Sequence, residues 1–154
     1  MIQTKAPILG TQRLGPFFYK IKLKSPSISS QAQPGQFVHL KVDEGYDPLL
    51  RRPFSIHRTD PSQGGLDLLI KLRGKGSRLL SRKSPGERLD LIGPLGNGFP
   101  LPHSGQSPIL VAGGAGIAPL FMLAERITSR GNSFFWGAKG EEEIFLRKEL
   151  SSLG

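Results

Sequence analysis

Residues 93–106, GPLGNGFPLPHSGQ, separate two kinds of hydrophobic periodicity. Before them, apolar and polar residues alternate in short runs. Tyr19, Ile21 and Leu23 fall on one face of such a run and Lys20, Lys22 and Lys24 on the other, the period of a half-buried strand. After them, apolar residues run together in PILVAGGAGIAP (108–119), then recur at Leu120, Leu123, Ala124 and Ile127, the spacing of one helix face. The change of period at a Gly/Pro-rich passage predicts two units, residues 1–100 and 107–154.

The first unit reads as six strands: residues 2–9, 16–24, 36–42, 51–56, 66–73 and 88–93. Val38, Leu40 and Val42 are in phase in the third, and Leu66, Leu68, Ile70 and Leu72 in the fifth. Residues 25–35, 43–48 and 59–65 are rich in turn formers and read as loops. A short helix is predicted near Ser77, before the last strand. Six strands with turns between them predict a small antiparallel barrel of Greek-key type. The second unit reads as strand, helix over 119–129, strand over 132–139 and helix over 141–154, whose first turn holds Glu141, Glu142 and Glu143. That order opens a doubly wound nucleotide-binding domain.

Composition narrows the chemistry. The chain has no cysteine, which excludes disulfides, thiolate nucleophiles, thiolate-held zinc and iron–sulfur clusters ligated by this chain. Its three histidines, at 39, 57 and 103, have no metal-like spacing and are expected on strand or loop surfaces. No metal site and no hydrolytic Ser/His/Asp or paired-carboxylate set is predicted. No apolar run is long enough to span a membrane and the N-terminus lacks signal-peptide character, so a cytoplasmic location is expected. The formal charge of +9 suits nucleic acid, an acidic partner or a phosphate-bearing cofactor. The basic residues between 71 and 83 lack the paired aromatic platform of a single-strand binder, so nucleic acid is not the expected partner.

Three motifs point to a ligand. In RRPFSI (51–56), cations stand beside a proline that fixes its own φ, a flat ring and a hydroxyl: Arg52, Pro53, Phe54 and Ser55. In GKGS (74–77), Gly76 permits close backbone approach and Ser77 can cap a helix whose N-terminus favours anions. Together they suit a ligand with a phosphate end and a planar heteroaromatic end. VAGGAGIAP supplies Gly113, Gly114 and Gly116 after a buried strand, with Pro119 near the first helical turn, and backbone amides there could hold a pyrophosphate. Each motif also has an ordinary reading: a strand with two solvated arginines, a loop with an N-cap, and a tight strand-to-helix turn. Trp136, Phe134 and Phe135 read as core.

LLRRPFSI, GKGS, IGPLGNGF (92–99) and VAGGAGIAPL (111–120), in that order, resemble the ferredoxin–NADP reductase superfamily. Within it the chain is most similar to the electron-transfer subunits of class 1B dihydroorotate dehydrogenases, with the related sulfide dehydrogenase subunit close behind. The resemblance implies an oxidoreductase module that binds FAD and takes electrons from NAD(P)H. Arg52 would meet the FAD pyrophosphate, Pro53 and Phe54 would flank the isoalloxazine, and Ser55 would bond near its N5. Leu69, Ile70 and Lys71 would line the FAD, Gly76 and Ser77 would take its phosphates, and Gly113, Gly114, Gly116 and Pro119 would form the nicotinamide-nucleotide turn. No residue is expected to act as a catalytic acid or base; the protein positions and tunes. A catalytic oxidoreductase subunit of dihydroorotate dehydrogenase type, serving pyrimidine biosynthesis in a hetero-oligomer, is the implied partner.

The chain departs from this pattern in two ways. The family's subunit carries a [2Fe–2S] cluster on four C-terminal cysteines, absent here, and this sequence ends after two strands of the nucleotide half. It therefore reads as a C-terminally shortened form, for which FAD binding is expected ahead of complete NADH-dependent turnover. A non-catalytic subunit that only binds its partner is the alternative, and a basic nucleic-acid-binding barrel a more distant one.

Overall fold

A computed structural model describes residues 1–103, 105–127 and 132–153. Six strands close a barrel: β1 (Ile2–Arg13), β2 (Phe18–Lys24), β3 (Phe37–Lys41), β4 (Arg52–Asp60), β5 (Gly65–Lys71) and β6 (Arg88–Leu95). All pairs are antiparallel, in the order β1-β2-β5-β4-β3-β6. β3, β4 and β5 are successive neighbours and β6 returns beside β3, which is the predicted Greek key. Ile21, Leu23, Val38, Leu40, Ile56, Leu66, Leu68, Ile70 and Leu91 fill the interior and are fully buried. Closure leaves no free edge within the barrel.

Three strands run further than their periodicity indicated, β6 by two residues to Leu95. β1 reaches Arg13 through an irregularity between Ile8 and Gly10. β4 continues to Asp60, so the hairpin connection to β5 is only Pro61–Gly64. Part of the predicted loop 25–35 is a turn of helix, α1 (Pro26–Ser29), with Pro26 in its first turn and Ile28 anchored in the core. The helix predicted near Ser77 begins earlier, as α2 (Lys75–Ser81).

The remaining chain forms β7 (Ile109–Gly113), α3 (Ile117–Ile127), β8 (Ser133–Gly137) and α4 (Arg147–Ser151), with β7 and β8 parallel. α3 is apolar on two sides because it is sandwiched. Leu123, Ala124 and Ile127 pack with Leu110 of the small sheet. Ala118 and Phe121 join Phe18 and Leu69, which point outward from the barrel, and Met122 joins the barrel core itself. Thr128 and Ser129, the predicted end of this helix, lie outside the described residues, as does Gly154 at the end of the last predicted helix.

Three expectations are corrected. The helix predicted over 141–154 is broken: Glu141–Glu143 form a 3-10 turn, Ile144 is non-helical, and α4 starts at Arg147. The interruption turns Phe145 onto Phe18 and Trp136, and buries Leu146. Phe135 is not core: with Ile109 and Val111 it occupies the face of the small sheet opposite α3, and it is 60% exposed. His57 is not a surface residue: it is buried between β4 and α3, stacked at 4.6 Å on Phe121.

Candidate functional site

The two arginines of RRPFSI part at the start of β4, Arg51 preceding the strand and Arg52 opening it. Arg51 turns to β6, where its guanidinium donates to the Asp90 carboxylate at 2.6 Å and to the Asp90 carbonyl at 2.9 Å. Asp90 is partly buried, which raises its pKa, but hydrogen bonds from Arg51 and Gln3 prevail and hold it below the usual carboxylate range. Arg51 is thus a structural residue. Arg52 faces a groove instead, donating among the described residues only to the carbonyls of Leu50 and Arg51.

That groove, about 400 Å³, is lined by Asp47, Pro48, Arg52, Pro53, Phe54, Lys71 and the run Arg73–Ser77. Gly74 is the N-cap of α2, and Ser77 sits one turn in rather than at the cap. Its Oγ accepts from the amides of Arg73 (2.9 Å) and Gly74 (3.1 Å), which fixes the loop against the helix. The first intrahelical bond is Arg78 N–H to the Gly74 carbonyl, so the amides of Lys75, Gly76 and Ser77 have no helical acceptor. Gly76 is buried, with space for a Cβ only 3.6 Å from Val42 and 3.7 Å from Arg52. Lys75 is paired with Asp47 across the groove. Neither Arg52 nor Arg73 has a carboxylate partner among the described residues.

A second cavity, about 480 Å³, opens where the barrel meets the carboxyl ends of β7 and β8. It is lined by Lys71, Arg73, Gly113, Gly114, Ala115, Gly137, Ala138, Lys139 and Glu143. Lys71 and Arg73 therefore belong to both cavities. Gly114 sits at φ +50°, a left-handed conformation that favours glycine at the turn out of β7, and its carbonyl accepts from the Trp136 indole at 3.1 Å. The Lys71 ammonium donates to Glu143 Oε1 at 2.7 Å, joining the two halves of the chain by a mostly buried ion pair.

Of the residues singled out from sequence, Arg52, Pro53, Phe54, Lys71, Gly76 and Ser77 meet in the groove. Gly113 and Gly114 meet Lys71 in the second cavity. Ser55 pairs with Phe37 of β3 and lines neither, while Ile70 lies in the barrel core and Leu69 in the seam with α3. Gly116 closes the 3-10 turn and Pro119 lies in the first turn of α3. Arg73, Asp47, Lys139 and Glu143 were not foreseen. Arg73 and Lys139 read as two basic residues among 21, and nothing local marks Glu143 as the partner of a lysine 72 residues away. A further cavity of about 390 Å³ sets Lys22 and Arg58 against Asp60 and Asp67, so its cations are matched. Among the described residues no cluster suited to a metal ion occurs, and no helix is long and apolar enough to cross a membrane.

A closed Greek-key barrel with an uncompensated cationic groove, docked on a parallel strand–helix–strand unit, defines a flavin-nucleotide-binding oxidoreductase fold. The chain belongs to the oxidoreductase FAD-binding domain family, whose sequence pattern matches residues 17–99. Its relatives include the electron transfer subunit of dihydroorotate dehydrogenase B (NAD(+)) from Bacillus caldolyticus. That protein is 41% identical over 140 residues, covering 88% of this chain and 54% of the relative. The corresponding subunit from Desulforamulus reducens is 43% identical over 124 residues, covering 80% and 47%. The chain thus spans about half the length of these relatives. Among solved structures, that of an NADH-dependent reduced ferredoxin-NADP oxidoreductase superposes with a TM-score of 0.84 at 28% identity, over 97% of this chain and 54% of that one. The ferredoxin reductase of carbazole 1,9a-dioxygenase shares the fold, at TM-score 0.83, 22% identity and coverage of 97% and 46%.

The groove fits the cofactor of that family. Two cations without counter-ions among the described residues and three helix-start amides without a helical acceptor suit a diphosphate, and the Pro53–Phe54 wall suits a flat ring. The absence of cysteine leaves no thiolate ligands for an iron–sulfur cluster in this chain.

Proposed function

We propose that this protein is an FAD-binding electron-transfer module that accepts electrons from NAD(P)H and passes them to a partner oxidoreductase in the cytoplasm. The partner we infer is a catalytic subunit of dihydroorotate dehydrogenase type, in a hetero-oligomer serving pyrimidine biosynthesis. Residues 1–100 are assigned as the FAD unit and 107–154 as the nicotinamide-nucleotide unit. The observation that carries the reading is the convergence of Arg52, Arg73 and the amides of residues 75–77 on one groove beside Phe54.

In this reading Arg52 and the α2 amides hold the diphosphate, with Gly76 and Ser77 bringing backbone close. Pro53 and Phe54 shape the wall beside the ring and Lys71 extends it from β5, whereas Ser55, Leu69 and Ile70 lie outside the groove and act only through the strands that carry it. Gly113, Gly114, Gly116 and Pro119 form the turn that receives the second nucleotide. Bound FAD supplies hydride acceptance and single-electron release. The chain's own contribution is position: the seam of Phe18, Leu69, Ala118 and Phe121 sets one unit against the other, and Lys71 with Arg73 places positive charge between the two cavities.

The test is an absorbance spectrum after incubation with excess FAD and desalting, followed by anaerobic NADH. Retained flavin bands are expected, with affinity lowered about tenfold or more by Arg52→Ala, the scale of lost charge-assisted hydrogen bonds. A colourless protein overturns the reading; flavin that NADH leaves oxidised removes the electron-donor assignment.

A further inference from the structure

Glu143 differs from the other charged residues of the second cavity. It is 4% exposed, and only one of its oxygens is used. Oε1 accepts from Lys71, whereas Oε2 is buried and accepts from no described residue. That free oxygen faces the glycine turn: a Cβ on Gly114 would lie 3.9 Å from it. A buried carboxylate oxygen without a donor is unfavourable until one arrives. Arg73 and Lys139 in the same wall are cations without carboxylate partners among the described residues. The cavity therefore offers one acceptor for a neutral N–H or O–H, and separate cations for an anionic group.

Resting on the reading that this half takes a nicotinamide nucleotide, we propose that Glu143 determines which nucleotide is accepted. Its Oε2 receives a hydrogen bond from the uncharged carboxamide N–H of the ligand, and Lys71 positions it by holding Oε1. A ligand that presents a carboxylate at this point brings lone pairs towards a buried carboxylate and is rejected.

The experiment measures binding of nicotinamide mononucleotide, nicotinic acid mononucleotide and ADP-ribose to the full chain by calorimetry, with the flavin spectrum of each sample recorded. The wild type should bind the carboxamide nucleotide about tenfold or more tightly over its acid counterpart, because a mismatched buried acceptor discriminates on that scale. Glu143→Gln keeps an oxygen for Lys71 and turns the free acceptor into an N–H donor, so that ratio should fall to about one or invert. A loss confined to the mononucleotide supports the carboxamide as the donor; an equal loss of ADP-ribose affinity, a ligand with no carboxamide, overturns it. Glu143→Asp, which retains the charge but withdraws the acceptor, should weaken the preference without inverting it, and melting curves verify that both variants fold. A wild-type ratio near one, a ratio unmoved by Glu143→Gln, or no nucleotide binding overturns the proposal. Retained flavin with an unmoved ratio refutes Glu143 alone. A colourless protein that still prefers the carboxamide refutes the flavin reading and leaves Glu143 standing.

Discussion

His57 couples the barrel to α3, and its chemistry makes that junction sensitive to acid. The ring is 2% exposed, stacks on Phe121 and holds the Ala118 carbonyl at 3.3 Å, which requires a proton on Nδ1. Burial, reinforced by the positive charges of Lys20 and Arg58, outweighs that hydrogen bond and lowers the imidazole pKa from 6.5 to about 4. Because the folded pKa lies below the unfolded one, the unfolded chain binds the proton first as pH falls. Stability is therefore unaffected above pH 6.5 and is lost between 6.5 and about 4. Each pH unit in that window is worth about 1.4 kcal/mol, so acidification from 7.5 to 4.5 should remove about 2.5 kcal/mol through this ring. Asp67 and Glu125, whose carboxyl pKa values burial raises, act in the opposite sense and are common to wild type and variant. The comparison is with His57→Phe, which keeps the stack but cannot titrate. Urea unfolding from pH 7.5 to 4.5, followed by Trp136 fluorescence and circular dichroism, should show the wild type losing about 2.5 kcal/mol more than the variant. At pH 7.5 the variant should be weaker by only about 1 kcal/mol, for the hydrogen bond. Parallel curves would refute the account.

Gly64→Ala should destabilise the barrel by about 1–3 kcal/mol, because Gly64 has φ +62° and a Cβ there would lie 2.7 Å from Pro26 Cγ. A thermal melt coincident with wild type would refute this. Arg51→Ala should lower stability by about 2 kcal/mol, since it strips a partly buried carboxylate of its partner, and should raise the Asp90 pKa in an NMR titration. It should leave flavin retention intact, where Arg52→Ala does not; equal flavin loss in both would erase the distinction between the two arginines.

Much of this molecule was legible in the chain because the signals are local. Alternation at Tyr19, Ile21 and Leu23, the shift of period after residue 106, and the glycines of GKGS follow from backbone geometry within a few residues. They located all six barrel strands and the groove residues Arg52, Phe54 and Gly76. Boundaries were less legible: β4 outran its apolar pattern because pairing with β5 extends it to Asp60, and the acid-rich final helix broke to place Phe145 and Leu146 in the seam.

The sequence by itself determined the strand periods, the turn chemistry and the order of motifs, since steric preference and alternation act between near neighbours. Only the tertiary structure decided that Arg51 is tied to Asp90, that His57 is buried, and that Lys71 meets Glu143. Those outcomes depend on barrel closure and on α3 packing against β4, which juxtapose residues dozens of positions apart, and burial and charge pairing exist only once that juxtaposition is made.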